Sequence, residues 1–109
     1  MNLLFICSRN QWRSPTAEAI FKNHQEHTAK SAGTEPSARI KVSSKLISWA
    51  DIIFCMEKRQ RQRLQERFPF ETIDKKVVVL DIPDEYQFMD EELIESIRIS
   101  VEPFLKTPF

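Results

Sequence analysis

The sequence predicts an α/β fold: one three-layer α/β/α domain over residues 1–109, built on a central four-stranded parallel sheet. Three observations predict it. Continuous apolar runs such as Leu3-Leu4-Phe5-Ile6 and Val77-Val78-Val79-Leu80 suit strands covered on both faces, as parallel strands are. Strand-like and helical patterns alternate four times along the chain, which implies a parallel sheet with helices on both faces. The length of 109 residues is that of a single domain able to bury a core without metals or disulfides.

In chain order, the first strand is expected at Asn2–Ile6. A helix then begins at Ser14, with Ser14 as cap, Pro15 in the first helical position and Glu18 in the first turn. Ala17, Ile20, Phe21 and His24 share its apolar face. The second strand, Ala29–Ala32, rests mainly on its position. A short helix covers Val42–Trp49, and the third strand is Ile52–Met56. The next helix, Glu57–Arg67, stops before Pro69. Val77–Leu80 is the fourth strand. The last helix runs from Asp90 to Leu105, with Leu93, Ile97, Val101 and Leu105 on one stripe and Pro103 set to kink or end it. Trp49, Phe54 and Phe104 are expected in the core. Gly33 is the sole glycine, so few positions take a positive φ easily.

Sixteen basic residues balance sixteen acidic ones, so no overall field draws the chain to nucleic acid or an anionic membrane. Any attraction for an anion must be local. Arg59, Arg63 and Arg67 recur at helical spacing and read as a solvated charged face. Cys7 and Cys55 make no disulfide framework, and the first residues lack the basic region and cleavage site of a signal peptide. No run approaches the roughly 20 apolar residues of a membrane span. The expectation is a cytoplasmic chain, monomeric or weakly dimeric. His24 and His27 have no metal-site spacing, and neither a metal nor a cofactor is expected.

In an open α/β sheet, ligands bind beyond the carboxyl ends of the strands. The first such end reads Cys7-Ser8-Arg9-Asn10-Gln11-Trp12-Arg13-Ser14-Pro15 and feeds directly into a helix N-terminus. Backbone N–H groups of such a loop converge on one tetrahedral anion, and the helix dipole adds positive potential. The same field favours the thiolate of a cysteine placed there. Arg13 can fork onto two phosphate oxygens, and Ser14 can donate to the sulfur.

The segment Cys7–Glu18 resembles the signature of the low-molecular-weight protein tyrosine phosphatases, Cys-x-Gly-Asn-x-Cys-Arg-Ser-Pro-x-Ala-Glu. Cys7, Asn10, Arg13, Ser14, Pro15, Ala17 and Glu18 match it. Ser31-Ala32-Gly33-Thr34, Ala50–Met56 and Asp81–Tyr86 resemble the family in the same order. The resemblance implies a four-stranded parallel sheet and hydrolysis of a phosphorylated substrate, either a phosphotyrosine protein or a small aryl phosphate, through a phosphocysteine. It makes Cys7 the nucleophile and Arg13 the phosphate clamp. Ser8, Arg9, Asn10, Gln11, Trp12 and Ser14 become the phosphate cradle, with Asn10 bonded to Ser31. It also implies an acid after the fourth strand. Alignment selects Asp84, with Glu85 next in place of the usual proline and then Tyr86 as the aromatic flank; Asp81 is the alternate.

Three departures stand out. Arg9 replaces a glycine, so it either strains the loop or contacts substrate. Trp12 replaces a second cysteine and is expected to pack under the loop. The stretch Glu35–Trp49 is shorter than in the family, which cuts down the walls that give specificity. Two other functions compete: an arsenate reductase, which would need relay cysteines beyond Cys55, and a non-catalytic phosphate-binding module.

Overall fold

The computed structural model describes residues 1–105, so the last four residues of the expected domain lie outside the described ones. Four strands form one sheet: β1 (Asn2–Cys7), β2 (Thr28–Gly33), β3 (Ile52–Cys55) and β4 (Lys76–Val79). Their order is β2-β1-β3-β4, with every neighbouring pair parallel. The expected strands stand within two residues of their predicted ends, and the doubly covered parallel sheet is as the apolar runs require.

Around it lie α1 (Arg13–Ile20), α2 (Ser44–Trp49), α3 (Lys58–Arg67), the single turn α4 (Pro69–Thr72) and α5 (Glu91–Val101), which tightens into a 3-10 turn at Glu102–Phe104. Alternation along β1 divides the core in two. Leu3, Phe5 and Cys7 pack with Ala17 and Phe21 of the α1 segment and with Leu93, Ile97 and Val101 of α5. Leu4 and Ile6 face the opposite layer, with Ile47 of α2 and Leu64 of α3. Phe5 and Phe54 stack at 5.3 Å in the first layer, where truncation of either to alanine would cost about 3–5 kcal/mol. Trp49 and Phe104 are half-buried against these layers.

Several details differ from the sequence expectations. Trp12, not Ser14, is the N-cap of α1, and it makes no side-chain cap bond. Ser14 and Pro15 therefore lie in the second and third helical positions, where a missing proline N–H leaves nothing unpaired. The helix ends at Ile20, so His24 lies beyond it. Pro69 opens α4, a turn too short for any periodicity to reveal. Asp90 caps α5 by accepting from the N–H groups of Glu92 and Leu93 rather than sitting in its first turn. At Pro103 the α-helix gives way to the 3-10 turn, the early end that proline foreshadows.

Candidate active site

Cys7 is the last residue of β1, at the carboxyl edge of the sheet, and is 3% exposed. Two groups meet at its sulfur. The Asn10 N–H donates to Sγ at 3.2 Å, and Ser14 Oγ stands 3.0 Å away. Asn10 Nδ2 donates to both Ser14 Oγ (2.8 Å) and Ser31 Oγ (2.9 Å), and Ser31 Oγ donates to Glu18 Oε1 at 2.8 Å. Ser14 thus receives a hydrogen from Asn10 and has a hydroxyl hydrogen of its own that it can offer to the sulfur. Such convergence of donors suits a sulfur anion. The expected Asn10–Ser31 bond is present.

The loop is shaped from outside by residues 34–39. Thr34 N–H donates to Cys7 O, Glu35 N–H to Ser8 O, Arg39 N–H to Arg9 O and Arg39 Nε to Asn10 O. Four consecutive carbonyls are drawn to one side. Because each peptide is planar and trans, the N–H groups of residues 8–11 are turned the opposite way. The Arg9–Asn10 peptide shows both ends of this arrangement, with its carbonyl on Arg39 and its N–H on Cys7 Sγ. Gly33 makes the approach possible: a Cβ there would stand 2.5 Å from Ser8 O and 2.7 Å from Ala38 Cβ.

Arg13 is 2% exposed and reaches back beneath the loop. Its Nη1 donates to Glu57 Oε1 at 2.7 Å and to Ile82 O at 2.8 Å, while Nε lies 3.7 Å from Asp84 Oδ1. Burial pushes the Glu57 carboxyl up, but the hydrogen bond and charge of Arg13, with those of Arg59, outweigh it and hold Glu57 below its ordinary 4.5. Gln60, fully buried, donates to Ser8 Oγ at 3.1 Å and accepts from Glu57 N–H at 2.7 Å. It therefore ties the loop to the residue that holds Arg13.

Sequence reasoning missed Glu57, Gln60 and the Ile82 carbonyl. The signal for the first two was present, since Glu57-x-x-Gln60 is a capping box directly after β3, at the same sheet edge as Cys7.

The remaining expected site residues fall into three groups. Ser8, Asn10 and Ser14 are buried in the loop, whereas Gln11 is exposed on its rim. Arg9 is not strained: Asn10 takes the positive φ, 56°, and the Arg9 side chain is 65% exposed with Glu35 at 3.9 Å. Trp12 does not pack under the loop. Asn10 and Ser14 are the fully buried side chains of the loop, and Trp12 is 44% exposed while its carbonyl accepts from Thr16. Of the two candidate acids, Asp84 pairs with Arg13; Asp81, also at φ 56°, lines a hollow with Glu57, Lys58, Arg59 and Pro83. Tyr86 is half-buried against the α1/α5 layer. Cys55 is fully buried, and burial pushes its thiol up to about 12.

Residues 2–45 match the family model described as low molecular weight phosphotyrosine protein phosphatase. No curated protein sequence matches the chain. Among solved structures, the YwlE arginine phosphatase of Geobacillus stearothermophilus is similar at 22% identity and TM-score 0.69, covering 91% of this chain and 84% of that one. The tyrosine phosphatase Wzb of Escherichia coli K30, in complex with phosphate, is similar at 20% and 0.72, covering 94% of each chain. SP-PTP, a low molecular weight protein tyrosine phosphatase of Streptococcus pyogenes, is similar at 18% and 0.76, covering 95% and 90%. At these identities the structural likeness speaks for the fold, and the family model speaks for the segment that carries the loop. Over residues 2–45, the segment that carries the loop, the chain resembles the low molecular weight phosphotyrosine protein phosphatases.

Proposed function

We propose that the chain is a cysteine-dependent phosphatase that hydrolyses phosphate monoesters through a phosphocysteine on Cys7, with phosphotyrosine in proteins as its substrate class. The observation that carries this reading is the meeting of the Asn10 N–H and the Ser14 hydroxyl on one sulfur, in a loop whose amides face inward beside a buried arginine.

In the first step Cys7 Sγ attacks phosphorus. The S–P bond forms as the bond to the leaving oxygen breaks, and Asp84 gives that oxygen a proton. Arg13 keeps Nη1 on Glu57 and Ile82 and offers its Nε/Nη2 edge to the equatorial oxygens, with the loop amides of Ser8 to Trp12 and Ser14 around them. Tyr86 flanks the leaving group. In the second step the Asp84 carboxylate takes a proton from water as that water attacks phosphorus. The S–P bond breaks, and the hydrogen bond from Ser14 eases the departure of sulfur.

Two competing readings fare worse. An arsenate relay needs accessible thiols, and Cys55 is buried in the opposite layer from Cys7. A pure phosphate binder is poorly served by a carboxylate 3.7 Å from its clamping arginine, because that charge repels the anion, whereas the phosphatase reading gives Asp84 a use as the acid. The two unpaired cysteines support a reducing, cytoplasmic setting. No helix among the described residues is long and apolar enough to cross a membrane.

The test is hydrolysis of p-nitrophenyl phosphate by the purified chain, compared with Cys7→Ser and Asp84→Ala. Cys7→Ser abolishes turnover, and Asp84→Ala slows it by about 10²–10⁴-fold. Equal rates for all three overturn the reading. Release of phosphate from phosphotyrosyl rather than phosphoarginyl peptides separates the two substrate classes of its structural neighbours.

A further inference from the structure

Along the outer face of α1 runs a groove of about 640 Å³. At one end it is lined by Gln11, which belongs to the nucleophile loop, with Arg39 and Phe88; Ala19 of α1 and Lys22 in the turn that follows also line it. Lys22 and Arg39 are exposed, and Phe88 is 53% exposed. Glu18 is the one carboxylate among the described walls, and it already accepts from Ser31. The groove is therefore a cationic and partly apolar channel that reaches the nucleophile loop at Gln11. From Pro15 to its end at Ile20 the helix rises about 8 Å, and Lys22 stands in the turn beyond it, which leaves room for roughly three residues of extended chain.

We propose that this groove is the docking site for an acidic polypeptide segment of about three residues adjoining the phosphorylated residue. The inference rests on the phosphatase reading and adds to it the chemistry of the substrate's flank. Charge complementarity selects the occupant. Side-chain carboxylates would lie against Lys22 and Arg39, an apolar side chain would meet Phe88, and the phosphoryl group would reach the loop past Gln11. Arg39 also donates through Nε to Asn10 O, so this residue of the groove is one that shapes the loop. Lys22, one turn and more from the loop, is free of that structural duty and serves to probe docking alone.

The experiment measures kcat/KM for three substrates. They are p-nitrophenyl phosphate, a phosphotyrosyl peptide flanked on each side by three glutamates, and the same peptide flanked by lysines. The wild-type chain is compared with Lys22→Glu and with Lys45→Glu, which makes the same charge change on α2 at a distance from the groove. The wild type favours the acidic peptide by about tenfold, mainly through KM and less so at high ionic strength. Lys22→Glu brings the two peptides within about twofold of each other; Lys45→Glu keeps the preference. Hydrolysis of p-nitrophenyl phosphate is the same for all three proteins. Equal rates on both peptides, or an equal loss of preference in Lys45→Glu, overturn the docking proposal while the phosphatase reading stands. If p-nitrophenyl phosphate is not hydrolysed at all, the phosphatase reading falls first and the docking proposal falls with it.

Discussion

Cys7 and Cys55 lie one register step apart on adjacent parallel strands, since Cys55 pairs with Ile6. Both are buried, both end apolar runs, and both sit near the carboxyl edge of the sheet. The difference lies in the next few residues of chain. After Cys7 the chain turns through a loop that brings an amide and a hydroxyl back to the sulfur. After Cys55 it passes through Met56 into the Glu57 cap, and the thiol stays in the hydrocarbon of the α2/α3 layer, where burial raises it to about 12. Burial by itself thus makes an inert thiol, and a returning loop of donors is what turns a strand-end cysteine into a candidate nucleophile.

The strongest way to break this contrast is selective alkylation. Iodoacetamide modifies Cys7 at least about a hundredfold faster than Cys55, phosphate protects Cys7, and Cys55 reacts at the global unfolding rate. Mass spectrometry of the native chain checks it, and equal labelling would erase the distinction. A smaller effect isolates the hydroxyl. Ser14→Ala removes one hydrogen bond to the sulfur and lowers kcat about 10–100-fold, the range for a bond to a charged group. An unchanged kcat would assign the contrast to the Asn10 amide alone.

The smallest effect concerns stability. The Glu57 carboxyl is held below 4.5 in the fold, so its charged form stabilises the folded state above that pH. That contribution disappears as pH falls through the folded value. Urea unfolding of Glu57→Gln therefore shows a flatter loss of stability below pH 4.5 than the wild type, and parallel curves would dismiss the Arg13–Glu57 pair as a source of acid sensitivity.

Much of the molecule was legible in the sequence because it depends on local pattern. Apolar runs placed three strands and chain position the second, and one motif brought Cys7, Asn10, Arg13 and Ser14 together with the correct partner at Ser31. What escaped depends on three-dimensional return of the chain. Trp12 stays exposed while the polar Asn10 and Ser14 are fully buried and bonded to each other, an inversion that no propensity reveals. Positive φ falls on Asn10, Asp81 and Met89 rather than on the one glycine, whose role is close approach. The shortened stretch after Gly33 read as a lost wall, yet its first residues hold the loop's carbonyls.

Holding those carbonyls has an energetic consequence. The amides of residues 8–11 are aimed by the bonds that Thr34, Glu35 and Arg39 make to the loop's carbonyls. The entropy of ordering them is lost once, when the chain folds, along with whatever cost attends the left-handed turn at Asn10. On the proposed phosphatase reading, an arriving oxyanion would meet a preorganised array and need no rearrangement of the loop, so the full strength of those dipoles would be available as charge shifts onto the departing oxygen.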